Sequence, residues 1–344
     1  MEAMARRLFL ALLTSLFLGV GASAPFRAES FYGLAQPYLF SLARWEGSSL
    51  LGKARGLLGG SAGDGEVVRR YFAGEGALEA RVEAILGAQV SQVLRQEGIN
   101  PFPPVLAEID QPPHLLIIAY RDRLELARTI LLRPRMTPRE GEGLEGRVER
   151  LGYSALVEGL GGVSTYPSLV LRGSGLEATV EGMAHEWVHQ YFFFRPLGRR
   201  YTRSYDLTTI NETAASMVGK EIAARVLRLY GREIVEREPA PSPLDRRLRD
   251  IRLKVEALLA ERQVAEAEEF MRQATPALQR EGFSIRKLNQ AYFAFYGSYA
   301  DSPTATSPIG EELKQLRRKS PSLGEFLRQV AQVRSREQLQ ALAY

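Results

Sequence analysis

The residues best suited to chemistry stand together at His185-Glu186-Trp187-Val188-His189. They lie inside Glu181 to Arg195, EGMAHEWVHQYFFFR, which holds two of the chain's 3 histidines. A four-residue step on an α-helix is just over one turn, so both imidazoles leave one face about 6 Å apart along the axis. Two neutral imidazoles at that separation can grip one Zn²⁺, and Glu186 then lies where it can take a proton from bound water. Without that chemistry the same residues are two partly buried helix histidines and a solvated glutamate.

A catalytic zinc commonly takes three protein donors and leaves the fourth position to water. Glu181 shares a face with His185, but a third group on the same straight helix is too far along the axis to reach the ion. Glu212, 23 residues after His189, is the preferred third ligand. Glu221 and Asp206 are fallbacks, and His114 is a distant one that reads better as a strand-end residue. Thr209-x-x-Glu212 also has the form of a capping box at a helix start, a role that leaves the carboxylate little freedom. The small residues Ala214, Ala215, Ser216 and Gly219 favour the metal, because they let this helix approach the first one closely. Further on, Tyr292, Tyr296 and Tyr299 recur at helical spacing in the aromatic stretch Phe283 to Tyr299. Such a stripe is more often core, but a phenol can stabilise the oxyanion formed at a polarised carbonyl. Glu158, Glu177 and Glu181 are upstream carboxylates of the kind an exopeptidase needs to hold a free amine.

These residues resemble the gluzincin metallopeptidases, in which H-E-x-x-H is followed some twenty-odd residues later by a glutamate on a second helix, often as N-E. Asn211-Glu212 supplies that pair here. The chain is similar in particular to bacterial aminopeptidase-like proteins that carry H-E-x-x-H-Q, with Gln190 in the last place, and an Asn and Tyr segment further on. Asn289-Gln290-Ala291-Tyr292 with Tyr296 and Tyr299 matches that segment loosely. The likeness covers about Gly175 to Leu229, with echoes to Tyr299. It implies a zincin-like catalytic domain, Zn²⁺ on His185, His189 and Glu212, and Glu186 as general base. Thermolysin-like members place an aspartate four residues after the glutamate, as partner of a ligand histidine. Ser216 stands there instead, so that support must differ, and Asp206 or a backbone carbonyl could serve.

The elements that must position these groups are legible in outline. The metal helix begins near Gly175 and ends at Pro196, and it is apolar almost all round, as expected of a core helix. Trp187 lies opposite the histidines and reads as packing. Glu66 to Gln96 is helical with a break near Gly74-Glu75-Gly76. Val105 to Ile109, Leu115 to Tyr120 and Leu124 to Leu132 have strand character and turn spacings that suit an antiparallel meander. Thr137-Pro138-Arg139-Glu140 opens a helix with a capping box, predicted to run to about Glu158. Val163 to Leu171 reads as a further strand, and its Pro167 argues for a sheet edge to which an extended peptide could add. Leu244 to Gln273 is predicted as one long amphipathic helix, and Leu313 to Leu342 as an amphipathic finish with a solvated face. The fold class is therefore α+β, a zincin-like domain with a small, mostly antiparallel sheet followed by a mainly helical C-terminal part. The predicted divisions are 1–24 as signal peptide or membrane anchor, 25–65 as juxtamembrane segment and linker, 66–238 as catalytic core and 239–344 as helical subdomain.

Composition bounds the function. The 344 residues include no cysteine, so any zinc must use imidazole and carboxylate donors. The net charge of +5 comes from 39 Arg and 6 Lys scattered among acidic residues. No basic run with interleaved aromatics marks a nucleic-acid face. Arg6-Arg7 followed by the uncharged Leu8 to Ala24 reads as an export segment, cleaved or kept as an anchor, with the arginines held on the cytoplasmic side. The expected protein is an exported zinc peptidase, secreted or anchored on the outer face of the membrane, acting on peptide or protein substrates. The alternative is a membrane-tethered scaffold or binding protein that keeps zinc only for stability.

Overall fold

The computed structural model describes residues 31–42, 45, 64–231 and 241–344. The export segment, most of the predicted linker and part of the proline-rich boundary before Pro243 lie outside them. The architecture is α+β. Gly74, at φ 119°, separates α1 (Gly65–Phe72) from α2 (Glu79–Gln96), a backbone angle that glycine adopts without strain. Next come β1 (Ala107–Asp110), β2 (His114–Ala119) and β3 (Leu126–Leu132). Thr137 and Glu140 close the capping box of α3 (Pro138–Glu149).

This helix does not run to Glu158 as predicted. Gly152 at φ 85° turns the chain, and Ser154–Gly159 forms β4. The reason is a period of two: Ala155 and Val157 enter one core while Leu156 enters another, which only a strand can do.

The predicted meander is corrected as well. β2 is the centre of a three-stranded antiparallel sheet, β3-β2-β4, whereas β1 pairs in parallel with a strand of a second sheet. Val163 to Leu171 is not one strand. It folds into β5 (Gly162–Val163) and β6 (Ser168–Leu171), antiparallel to each other, with Pro167 in the connection. The second sheet has the order β1-β6-β5, so β1 and the short β5 are the edges and β6 is the centre.

α4 (Leu176–Phe193) and α5 (Tyr205–Arg228) follow and pack along each other. Trp187 is buried, and its indole N–H donates to the Pro103 carbonyl at 2.7 Å. After Pro243 the single long helix of the sequence reading is a hairpin, α6 (Pro243–Ala260) and α7 (Val264–Arg280). The turn passes through Arg262 at φ 62°, and both helices bury one stripe in a shared cluster that a single rod could not close on itself. Within the aromatic stretch only α8 (Gln290–Tyr296) is helical, capped by Asn289. The finish consists of α9 (Ile309–Lys319), α10 (Leu323–Ala331) and α11 (Arg336–Ala343).

The largest core joins α1, α2, β1, α4 and α5 to α9, α10 and α11, so the last segment buries one face while Arg318, Lys319, Arg328 and Arg334 stay exposed on its solvated side. Leu313, Phe326, Leu327 and Leu339 are each at 0% exposure, and burying side chains of this size stabilises by roughly 1.5–3 kcal/mol apiece. The β3-β2-β4 sheet is covered on both faces. Leu116 and Ile118 meet α3, while Leu115 and Ile117 meet α8, which explains the continuous apolar run of β2. Among the described residues no helix is long and apolar enough to cross a membrane.

Candidate metal centre

α4 brings His185 and His189 onto one face, and α5 lies against that face. The approach depends on Gly219: a Cβ there would stand 3.1 Å from the Glu181 carbonyl oxygen and 3.3 Å from the His185 Cβ. Ala214, Ala215 and Ser216 are buried along the same seam. Glu212 is thereby set between the imidazoles. The Nε2 atoms of His185 and His189 are 3.0 Å apart. The Glu212 Oε2 is 3.6 Å from the first and 3.4 Å from the second. These donors form a group able to hold a metal ion.

Thr209 and Glu212 do not form a capping box. Ser204 caps α5, and Thr209 turns its hydroxyl back to the Tyr205 carbonyl at 2.9 Å. Glu212 is thus free of the cap and faces the histidines. The fallback donors lie elsewhere. Glu221 is paired with Arg317 and Arg225, Asp206 is in the first turn of α5, and His114 opens β2.

Two of the three donors are oriented by a hydrogen-bonding neighbour. His189 Nδ1 is 2.8 Å from Asn211 Oδ1. With the carbonyl oxygen of Asn211 as acceptor, Nδ1 carries the proton and Nε2 is left with a lone pair toward the centre. Asn211 therefore gives the support that the sequence reading sought in Asp206 or a backbone carbonyl. Ser216 points away from the histidines, to Asp301 at 2.7 Å, and Lys220 pairs with the same carboxylate. The hydroxyl of Tyr201 donates to Glu212 Oε1.

The electrostatics follow from the packing. Burial alone would lower the pKa of His189, but the charge and hydrogen bond of Glu212, with Glu186 and Asn211, together outweigh it and raise the imidazole to about 9. Burial likewise opposes ionisation of Glu212, yet His189 and the hydrogen bonds from both imidazoles hold it well below the usual carboxylate range. Without an ion His189 and Glu212 thus favour each other's charged form, so an ion at these donors competes with a proton. Burial pushes Glu186 upward, only partly offset by the two histidines.

Glu186 is fixed from the sheet side. A Cβ on Gly162 of β5 would come within 2.6 Å of Glu186 Oε1, and the Ser164 hydroxyl donates to the Glu186 carbonyl at 3.0 Å. Gln190 holds the β5–β6 connection, with its amide nitrogen 2.9 Å from Ser168 Oγ and donating also to the Thr165 carbonyl. The face of β5 at Gly162 thus lies against the candidate base.

Of the tyrosines singled out in the sequence, Tyr299 reaches the centre. Its ring stacks on His185, with centroids 6.1 Å apart and planes 29° apart. Burial, then the charges of Glu212 and Glu186, push its phenol well above the usual value. Tyr292 and Tyr296 pack on each other at 4.6 Å, and both feel the carboxylate of Glu158. Glu158, Glu177 and Glu181 stand outside the metal group. Glu158 and Glu181 are part-buried, and burial raises the pKa of each.

Sequence reasoning missed Tyr201. It follows the short 3-10 turn Gly198–Arg200 between α4 and α5, and no motif marks it. Comparison with protein-family models, with curated proteins and with solved structures finds no match for this chain.

Proposed function

We propose that the chain is a zinc-dependent peptidase with a zincin-like centre, in which His185, His189 and Glu212 hold Zn²⁺ and Glu186 is the general base. The spacing of the donors carries this. Donors about 2.0–2.1 Å from a tetrahedral zinc stand roughly 3.3–3.5 Å apart. The separations here are 3.0, 3.4 and 3.6 Å. Two imidazoles and a carboxylate are also the donor types of a catalytic rather than a structural zinc, with a fourth position left for water.

Zinc held there supplies Lewis acidity, acidifying water and polarising a peptide carbonyl. Glu186, on the same helix turn, takes the water's proton and later delivers it to the leaving amine. Its buried carboxylate, whose pKa burial raises, suits both transfers. Tyr299 beside His185 is the phenol best placed to donate to the developing oxyanion. The free side of β5 offers backbone groups to an extended peptide, in the manner of strand addition. The basic and then apolar N-terminal segment, Arg6 to Ala24, supports action outside the cytoplasm, secreted or anchored.

The test is zinc content together with cleavage of a mixed peptide library, for wild type and Glu186→Gln. Stoichiometric zinc in both, with cleavage reduced about 10²–10⁴-fold in the variant, is expected. Full zinc occupancy without cleavage by wild type would sink the peptidase and favour a zinc-stabilised scaffold.

A further inference from the structure

We propose that Tyr201 is a positioning residue that holds Glu212 to the metal through one oxygen and so keeps the fourth coordination position open. The inference rests on the metal centre proposed above. The two oxygens of Glu212 have different partners. Oε2 faces both imidazole Nε2 atoms at 3.4 and 3.6 Å, whereas Oε1 accepts the Tyr201 hydroxyl. For the carboxylate to bind an ion through both oxygens, Oε1 must turn inward and leave the Tyr201 hydroxyl without its acceptor in a buried site. That loss disfavours the two-oxygen mode.

Tyr201 is itself held in place. Its carbonyl accepts the Thr208 hydroxyl at 2.6 Å, which ties the turn to the first coil of α5. Gly198, at the start of that turn, packs directly on the Phe192 carbonyl at the end of α4, where a Cβ has no room. The ring of Tyr201 stands edge-on to His189, with centroids 6.3 Å apart. Tyr201 therefore contacts two of the three donors, while Tyr299 stacks on His185 and also reaches Glu212. The hydroxyl of Tyr201 is the partner of Oε1 and so restrains the ligand. Partners of metal ligands commonly contribute 10–100-fold in affinity.

Two measurements test this on the full chain. For Tyr201→Phe, which keeps the ring, competition with a chromophoric chelator should show Zn²⁺ binding weakened about 10–100-fold. The Co²⁺-loaded variant should also lose visible absorption intensity as the site moves toward five donors. Unchanged affinity and an unchanged Co²⁺ spectrum would overturn the role of Tyr201 while leaving the metal centre intact. If Tyr201→Phe does not fold, zinc X-ray absorption of wild type decides instead: one carboxylate oxygen in the first shell supports the proposal, and two overturn it. A wild-type protein that takes up neither ion overturns this inference and the proposed function together.

Discussion

At the scale of single residues, the site depends as much on a missing side chain as on those present. Gly162 lies flat against Glu186, and a methyl group there would meet Oε1 at 2.6 Å. Gly162→Ala should therefore swing the carboxylate without touching a metal donor. A shift of about 1 Å in a reacting group costs on the order of 100-fold in rate. The expected outcome is a fall of that order in kcat/KM on a cleaved peptide, with zinc stoichiometry unchanged. Wild-type turnover in the variant would mean that Glu186 has room to adapt. His185, Glu186 and His189 are legible in the sequence because helix geometry alone fixes their mutual positions. Glu212 is legible through the small residues that follow it. Tyr201 is not, because its place depends on how a turn closes between two helices, on Thr208 and on Gly198, none of which forms a repeating pattern.

At the scale of elements, the pair α4 and α5 is the unit that makes the metal group, and Gly219 is its tightest point. Gly219→Val forces the helices apart at the His185 backbone. Overpacking of this kind costs about 1–3 kcal/mol. Denaturant unfolding of the metal-free protein should register that loss, and zinc affinity should drop with it. A variant of unchanged stability and affinity would show that the seam has slack. The elements themselves are unevenly legible. α4 and the break at Gly74 follow from periodicity and from glycine. The continuation of α3 to Glu158 fails because a helical pattern ran through Gly152 without a marked stop, and β4 becomes visible only once β2 supplies a partner. The single strand expected over Val163 to Leu171 fails for a related reason. Pro167 does exclude an interior strand position, but it marks a turn between two strands rather than an edge. Likewise, one amphipathic stripe from Leu244 to Gln273 cannot reveal that it folds back at Arg262.

At the scale of the molecule, distant segments are stapled together by a few buried charges. Glu145 of α3, 2% exposed, pairs with Arg286 and Lys287 and accepts the Val157 amide at 2.7 Å. Burial alone would raise its pKa, but these partners hold it below the ordinary value of 4.5. A carboxyl depressed by folding adds stability above its unfolded pKa, and that stability is lost as pH falls through the folded value. Glu145→Gln should lower stability at pH 7 by about 2–3 kcal/mol, somewhat under the ~3–5 of a fully buried broken pair because the cations are partly exposed. The gap between wild type and variant should narrow as pH drops below about 4.5. Urea midpoints across that range would check it, and a gap independent of pH would assign the loss to packing instead.

The covering of α5 by α9, α10 and α11 bears on the order in which the protein is made. All three donors leave the ribosome by Glu212, well before the helices that close the core around α5. A nascent chain halted near Lys220 would already hold every donor of the metal site but none of the helices that cover α5. The covering of α5 arrives only with α9, α10 and α11, so the core beneath the donor helices closes after every donor has been made.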